Sequence, residues 1–110
     1  MERFVKADIV VVSFPFSDLS NSKKRPALVL ADLIGDDVIL YQITSKNVND
    51  IYSIPLISND FSKGRLHKPS NIRPSRLFTA DKNIIHKKVG KIKSEKYFEV
   101  SKKIYELIQL

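Results

Sequence analysis

No cysteine occurs in the 110 residues, so neither a disulfide framework nor a thiolate metal site can be built. Histidine is nearly as scarce: His67 and His86 are too few and too scattered to suggest a metal centre. No apolar run approaches the length of a membrane span. The N-terminal "MERFVKADIVVV" has no signal-peptide layout, because Asp8 interrupts its short apolar run. A soluble, cytoplasmic chain with no membrane contact is therefore expected. Glycine-rich phosphate cradles, zinc helix signatures and nucleophile elbows are missing. Carboxylate pairs suited to hydrolysis are missing from the basic regions as well. Neither a cofactor nor a metal is expected.

What is present is charge of one sign. Lysine and arginine number 19 against 12 acids, a net charge of +7. Charge of this size attracts polyanions, with nucleic acid the leading candidate, although a solubilising surface is the plain alternative. The length is that of one domain, residues 1–110. A hydrophobic fraction of 43% supports a real but small core, which association with a second copy would help.

The extended runs are short and dense. "DIVVVSFPF" (8–16), "PALVLAD" (26–32) and "DVILYQITS" (37–45) read as strands, the last packed on both faces. Pro26 begins its strand, where no ladder donor is needed, and "IGDD" is a turn. "IYSIPLI" (51–57) reads as an edge strand because of Pro55, and residues 58 to 71 as a long polar loop. "IRPSRLFTA" (72–80) and "IIHKKVGKI" (84–92) carry further strand character. In the tail, Ser94 can cap a helix, Glu95 suits its positive end, and Tyr97, Val100, Ile104, Leu107 and Ile108 share one face. Several strands and one terminal helix predict an α+β, mainly β, small antiparallel barrel.

Candidate chemistry begins at "SKKRPALVL" (22–30). A guanidinium at a strand start, Arg25, is fixed at its base and free at its tip, a good geometry for a bidentate phosphate clamp. Lys23 and Lys24 add diffuse attraction. Thr44 and Ser45, at a strand end beside Lys46, can donate hydroxyl protons to phosphate oxygens. The stretch "KGRLHKPSNIRPSR" (63–76) holds Arg65, His67, Lys68, Arg73, Ser75 and Arg76 and reads as a phosphate-tracking rim. A solvated turn, an ordinary strand threonine and a flexible loop are the plain alternatives. Cleavage, if any, fits metal-independent attack by an RNA 2′-hydroxyl, with arginine stabilising the extra negative charge.

The segments "ADIVVVSFPFSD", "KKRPALVL", "VILYQITS" and "KPSNIRPSRLFTADKNIIHKKVGKI" together resemble the MazF/PemK family of type II toxin–antitoxin toxins. The resemblance implies an SH3-like barrel of CcdB type with a C-terminal helix, working as a homodimer. It implies an endoribonuclease cutting single-stranded RNA, and an acidic, partly disordered cognate antitoxin. It implies operator DNA binding only as the toxin–antitoxin complex. Arg25 would stabilise the transition-state phosphate and Thr44 would position the phosphate or the attacking hydroxyl.

There are departures from the pattern. Ala7 replaces the glycine many members place before the first strand, "SNSKK" replaces a glutamate-bearing loop, and Ser75 stands where some members have an acid two residues after Arg73. Asp18 and His67 are the substitutes considered for the general base. A catalytically weak or inactive RNA- or antitoxin-binding relative, a gyrase-directed toxin and a generic basic barrel remain alternatives.

Overall fold

Alternation of apolar residues along the first three extended runs sends side chains to both faces of a single sheet. The computed structural model describes residues 3–15, 22–46 and 51–109, with the backbone alone at Phe14, Pro15, Ser22 and Lys23. Its strands are β1 (Asp8–Pro15), β2 (Ser22–Asp32), β3 (Asp37–Thr44), β4 (Ile54–Leu56), β5 (Phe61–Gly64), β6 (Ser70–Asp81) and β7 (Ile85–Ile92). Helix α1 (Ser94–Ile108) follows. All strand pairs are antiparallel, in the order β4-β6-β3-β2-β1-β7-β5. The sheet curls into a half-barrel with the helix at its C-terminal end, the architecture expected from the sequence.

The two faces carry separate cores. Ile9, Leu28, Tyr41, Ile43 and Ile72 lie on one face, where Val100, Tyr97 and Ile104 of α1 pack against them. Val10, Val12, Ala27, Val29, Val38 and Leu40 lie on the other, covered by Phe4, Phe78, Ile84 and Ile85. The centre of the sheet is thus buried on both sides, which explains the nearly continuous apolar runs. Val100 is fully buried, worth about 1.5–3 kcal/mol for such a side chain. The Tyr97 hydroxyl donates to Leu30 O at 2.7 Å and pins the helix to β2.

Several expectations need correction. The basic triplet lies inside β2, which begins at Ser22 rather than at Pro26. Pro26 is tolerated there because the β2–β3 pairing ends at Ala27, one residue away. Residues 58 to 71 are not a plain loop. They hold a 3-10 turn (Ser58–Asp60) and β5, which pairs with β7 through Gly64 opposite Gly90. Ser94 is the first helical residue, and Lys93 is the cap, with no side-chain capping bond. Ile108, placed on the packed stripe, is 70% exposed.

Two backbone sites are demanding. Ala7 has φ 78°, a left-handed conformation costing a non-glycine residue on the order of 1 kcal/mol. It is held there by Ala7 N–H to Val29 O and Ile92 N–H to Ala7 O, each 3.0 Å. Next to it, buried Asp8 accepts from Val5 N–H at 2.8 Å and pairs with Lys88 and Lys91. Gly64 has φ +66°, and a Cβ there would stand 2.1 Å from Val89 O.

Gly64→Ala should therefore destabilise by about 2 kcal/mol or more. Gly35→Ala, with φ +94° but open space, should cost about 1 kcal/mol. Urea denaturation of both variants checks the order. A second test concerns Asp32, which pairs with Lys82 at 2.7 Å and Arg3 at 3.1 Å. The hydrogen bond from Lys82, then that from Arg3, holds its carboxyl below the usual 3.8. A lowered folded pKa gives stability that is present above 3.8 and lost as pH falls through the folded value. Thermal unfolding from neutral pH down to strong acid should show a steeper loss below pH 3.8 in the native protein than in Asp32→Asn.

Candidate functional site

Register decides which polar side chains share a face, because directly opposed residues project to the same side. Arg25 is opposite Val12, which belongs to the second core, so Arg25 lies on that face. Ala27 is opposite Gln42, and the same register continued by two residues sets Arg25 level with Thr44. Across the next pair, Gln42 is opposite Arg73 and Thr44 opposite Asn71. Arg25, Gln42, Thr44, Asn71 and Arg73 therefore gather on one face, at one end of β2, β3 and β6. Sequence reasoning missed Gln42 and Asn71. Only the pairing of β3 with β6 reveals them.

Both arginines are partly buried, with the Nε atoms fully covered. Each also interacts with another group of the protein, so neither side chain is free. Thr44 is buried, and its Oγ1 accepts from Lys46 N–H at 3.2 Å. That bond occupies an acceptor lone pair and leaves the hydroxyl proton available to donate. Ser45 and Lys46 are exposed just past the strand end.

Between Arg73 and Leu77 the β3–β6 register shifts, and this irregularity carries Ser75 and Arg76 outward as exposed residues. Arg76 and Gln42 line a cavity of about 530 Å³ with Leu77, Phe78 and Ile84. The remaining candidates are placed elsewhere. Lys24 is exposed and, being next to Arg25, projects to the opposite face. His67 and Lys68 line a smaller cavity of about 150 Å³ with Leu56, Phe61 and Leu66, residues of the helix-side core and its fringe. Arg65 is exposed in the same connection. No described strand pair or cavity joins His67 to Arg25 or Thr44. Asp18 lies outside the described residues, and Lys23 is described by its backbone alone.

Charge is sorted along the strands. Asp8 begins β1, Asp32 ends β2, Asp37 begins β3 and Asp81 ends β6. All four stand at the end of the sheet away from Arg25, Thr44, Asn71 and Arg73. Among the described strand residues the opposite end holds cations without acids, so within those strands no carboxylate offsets the positive field. No group of three or more His, Asp or Glu that could hold a metal exists among the described residues. No helix is long and apolar enough to cross a membrane, again among those residues.

The family model for the PemK-like, MazF-like toxin of type II toxin–antitoxin systems matches residues 6–108. The chain belongs to this toxin family. Its fold is similar to that of the Mycobacterium tuberculosis toxin MazF-mt6, at TM-score 0.74 and 16% identity, covering 94% of this chain and 97% of that one. A mycobacterial endoribonuclease in complex with its cognate antitoxin matches at TM-score 0.77 and 9% identity, covering 98% and 97%. A MazE–MazF complex from Deinococcus radiodurans matches at 0.77 and 15% identity, covering 96% of each chain. Curated protein sequences yield no match. At these identities the solved structures establish the shared fold, and the family model establishes the MazF/PemK membership.

In this MazF/PemK chain the Thr44 bond to Lys46 N–H supports the turn leaving β3. Thr44→Val should lose about 1 kcal/mol of stability. The exposed Ser45→Ala should stay within about 0.5 kcal/mol, and chemical denaturation of the pair checks the difference.

Proposed function

We propose that this toxin is a metal-independent endoribonuclease that cuts single-stranded RNA through the 2′-hydroxyl adjacent to the scissile phosphate. The observation that carries the reading is the register that gathers Arg25, Thr44, Asn71 and Arg73 at one end of the sheet, where the described strand residues include no acid. Attack by the 2′-oxygen makes a five-coordinate phosphorus with an added negative charge. It breaks the bond to the 5′-oxygen and leaves a cyclic phosphate and a 5′-hydroxyl. Arg25 supplies charge to the equatorial oxygens, in a setting where a half-buried guanidinium acts more strongly than one in water. Thr44 donates its free hydroxyl proton to the same phosphate.

Arg73 and Arg76 hold flanking phosphates, with Lys23, Lys24, Ser45 and Lys46 adding attraction along the strand. The cavity between Gln42 and Phe78 offers an aromatic surface for a base, with the Gln42 amide at its edge. Arg65 and Lys68 extend the basic track. The proton lost by the 2′-hydroxyl is balanced by the one the leaving 5′-oxygen gains, and Ser75, exposed beside Arg76, helps position the substrate. The protein works as a homodimer in the cytoplasm. An acidic, partly disordered antitoxin covers the basic end, and operator DNA is bound only by that complex.

Incubation of a defined RNA with the protein in EDTA, followed by mapping of the ends, tests the reading. Arg25→Ala should lose at least about 100-fold in cleavage rate, the range for removing one oxyanion-stabilising donor. An absolute need for magnesium, or full activity in Arg25→Ala, would sink the mechanism. Binding without any product would instead favour an inactive relative.

A further inference from the structure

On the face opposite Arg25 a second set of polar groups meets at the same end of the sheet. Ser13 is directly opposite Lys24, so the two share a side. The Ser13 hydroxyl and His86 Nε2 are joined by a short hydrogen bond, which brings β7 to the same place. Lys87 is opposite Val11, two residues from Ser13 and therefore also on that side.

In a regular strand two consecutive residues cannot both reach one face. Here they do because the β1–β7 register shifts between Val11 and Val12, leaving His86 as the extra residue between Ile85 and Lys87. A β-bulge is the device by which a strand re-aims a side chain. Lys24, His86 and Lys87 are all exposed, beyond the part of this face that α1 covers.

We propose that Ser13, Lys24, His86 and Lys87 form a second phosphate-binding patch for single-stranded RNA, on the sheet face opposite Arg25 and Thr44. The proposal rests on the RNA-cleaving reading and deepens it, by adding a path for the strand beyond the cut phosphate. Lys24 and Arg25 are neighbours on β2, about 3.3 Å apart along the strand and pointing to opposite faces. A strand that meets Arg25 and turns from one face of the sheet to the other meets Lys24 next. A flexible single strand can make that turn, whereas a duplex, with a persistence length of about 150 base pairs, cannot.

The Ser13 bond orients the imidazole. Nε2 is engaged by Ser13, which leaves Nδ1 as the ring nitrogen open to a phosphate oxygen when it carries a proton. Lys24 and Lys87 supply charge on either side. None of the four belongs to either core.

The test is fluorescence anisotropy with uncleavable RNA carrying 2′-methoxy groups, in strands of about 4 and about 12 nucleotides, within the range one small binding domain covers. The double variant His86→Gln, Lys87→Gln should weaken binding of the longer strand by on the order of 10-fold. Its salt slope should fall by about 1, as expected for a lost phosphate contact. The shorter strand should be affected much less.

Ser13→Ala should reproduce part of the loss. Unchanged affinity for the long strand would overturn the patch, and so would an equal loss for both lengths. Weakened binding of an acidic peptide, with RNA binding intact, would also overturn it by making the patch a protein-docking surface. Cleavage assays run beside these separate the two readings. Normal cleavage without length dependence sinks the patch alone. Length-dependent binding without cleavage supports the patch and sinks the nuclease reading alone.

Discussion

Pairing between β2, β3 and β6 is the constraint on which the rest of the molecule depends. Val12 opposite Arg25, Ala27 opposite Gln42 and Thr44 opposite Asn71 are backbone alignments, enforced by two apolar cores that cannot both be satisfied in any other register. Several of the side chains that gather at the basic end are cations, whose mutual repulsion opposes the gathering. They are brought together by packing elsewhere. Ile9, Leu28 and Tyr41 on one side, and Val10, Ala27 and Leu40 on the other, hold the strands in line while the polar end stays available. Placement of this kind fixes where the polar side chains stand before any ligand arrives.

The opposite end of the sheet does different work. Asp8 sits buried between Lys88, Lys91 and the Val5 amide, next to Ala7 in its left-handed turn. Asp32 joins Arg3 of the N-terminal segment to Lys82 of the β6–β7 connection. These acids fasten the chain where it enters and leaves the sheet. Confining them to that end has an electrostatic result: cations near Arg25 keep their field for an incoming polyanion. Within the described strands, Asp8, Asp32, Asp37 and Asp81 all stand at that far end.

How much of this the sequence made legible follows from the range of each interaction. The centres of β1, β2 and β3 and the helix were readable because alternation and helical period are local patterns. β5 was not, since "FSKG" has little strand character and is extended only because Gly64 and Gly90 let two backbones approach. The N-terminal reach of β2 was hidden because "SKK" looks like a turn until β1 is there to pair with it. Arg25 and Thr44 could be chosen from residue type and family likeness. Gln42 and Asn71 could not, because their place depends on a β3–β6 register interrupted at Tyr41 and Gln42. His86 has no motif around it in the sequence, and nothing in its neighbours "IIHKK" announces a bulge.

Strict alternation along β2 also restricts how this sheet can vary over generations. One residue gained or lost between Ser22 and Ala27 would send Arg25 to the side now held by Lys24 and bring Lys24 into its place. Substitution can therefore tune this end gradually, but a single-codon insertion there would exchange the faces that these side chains present. Length variation among related chains should accordingly collect in the connections between strands and spare this short stretch.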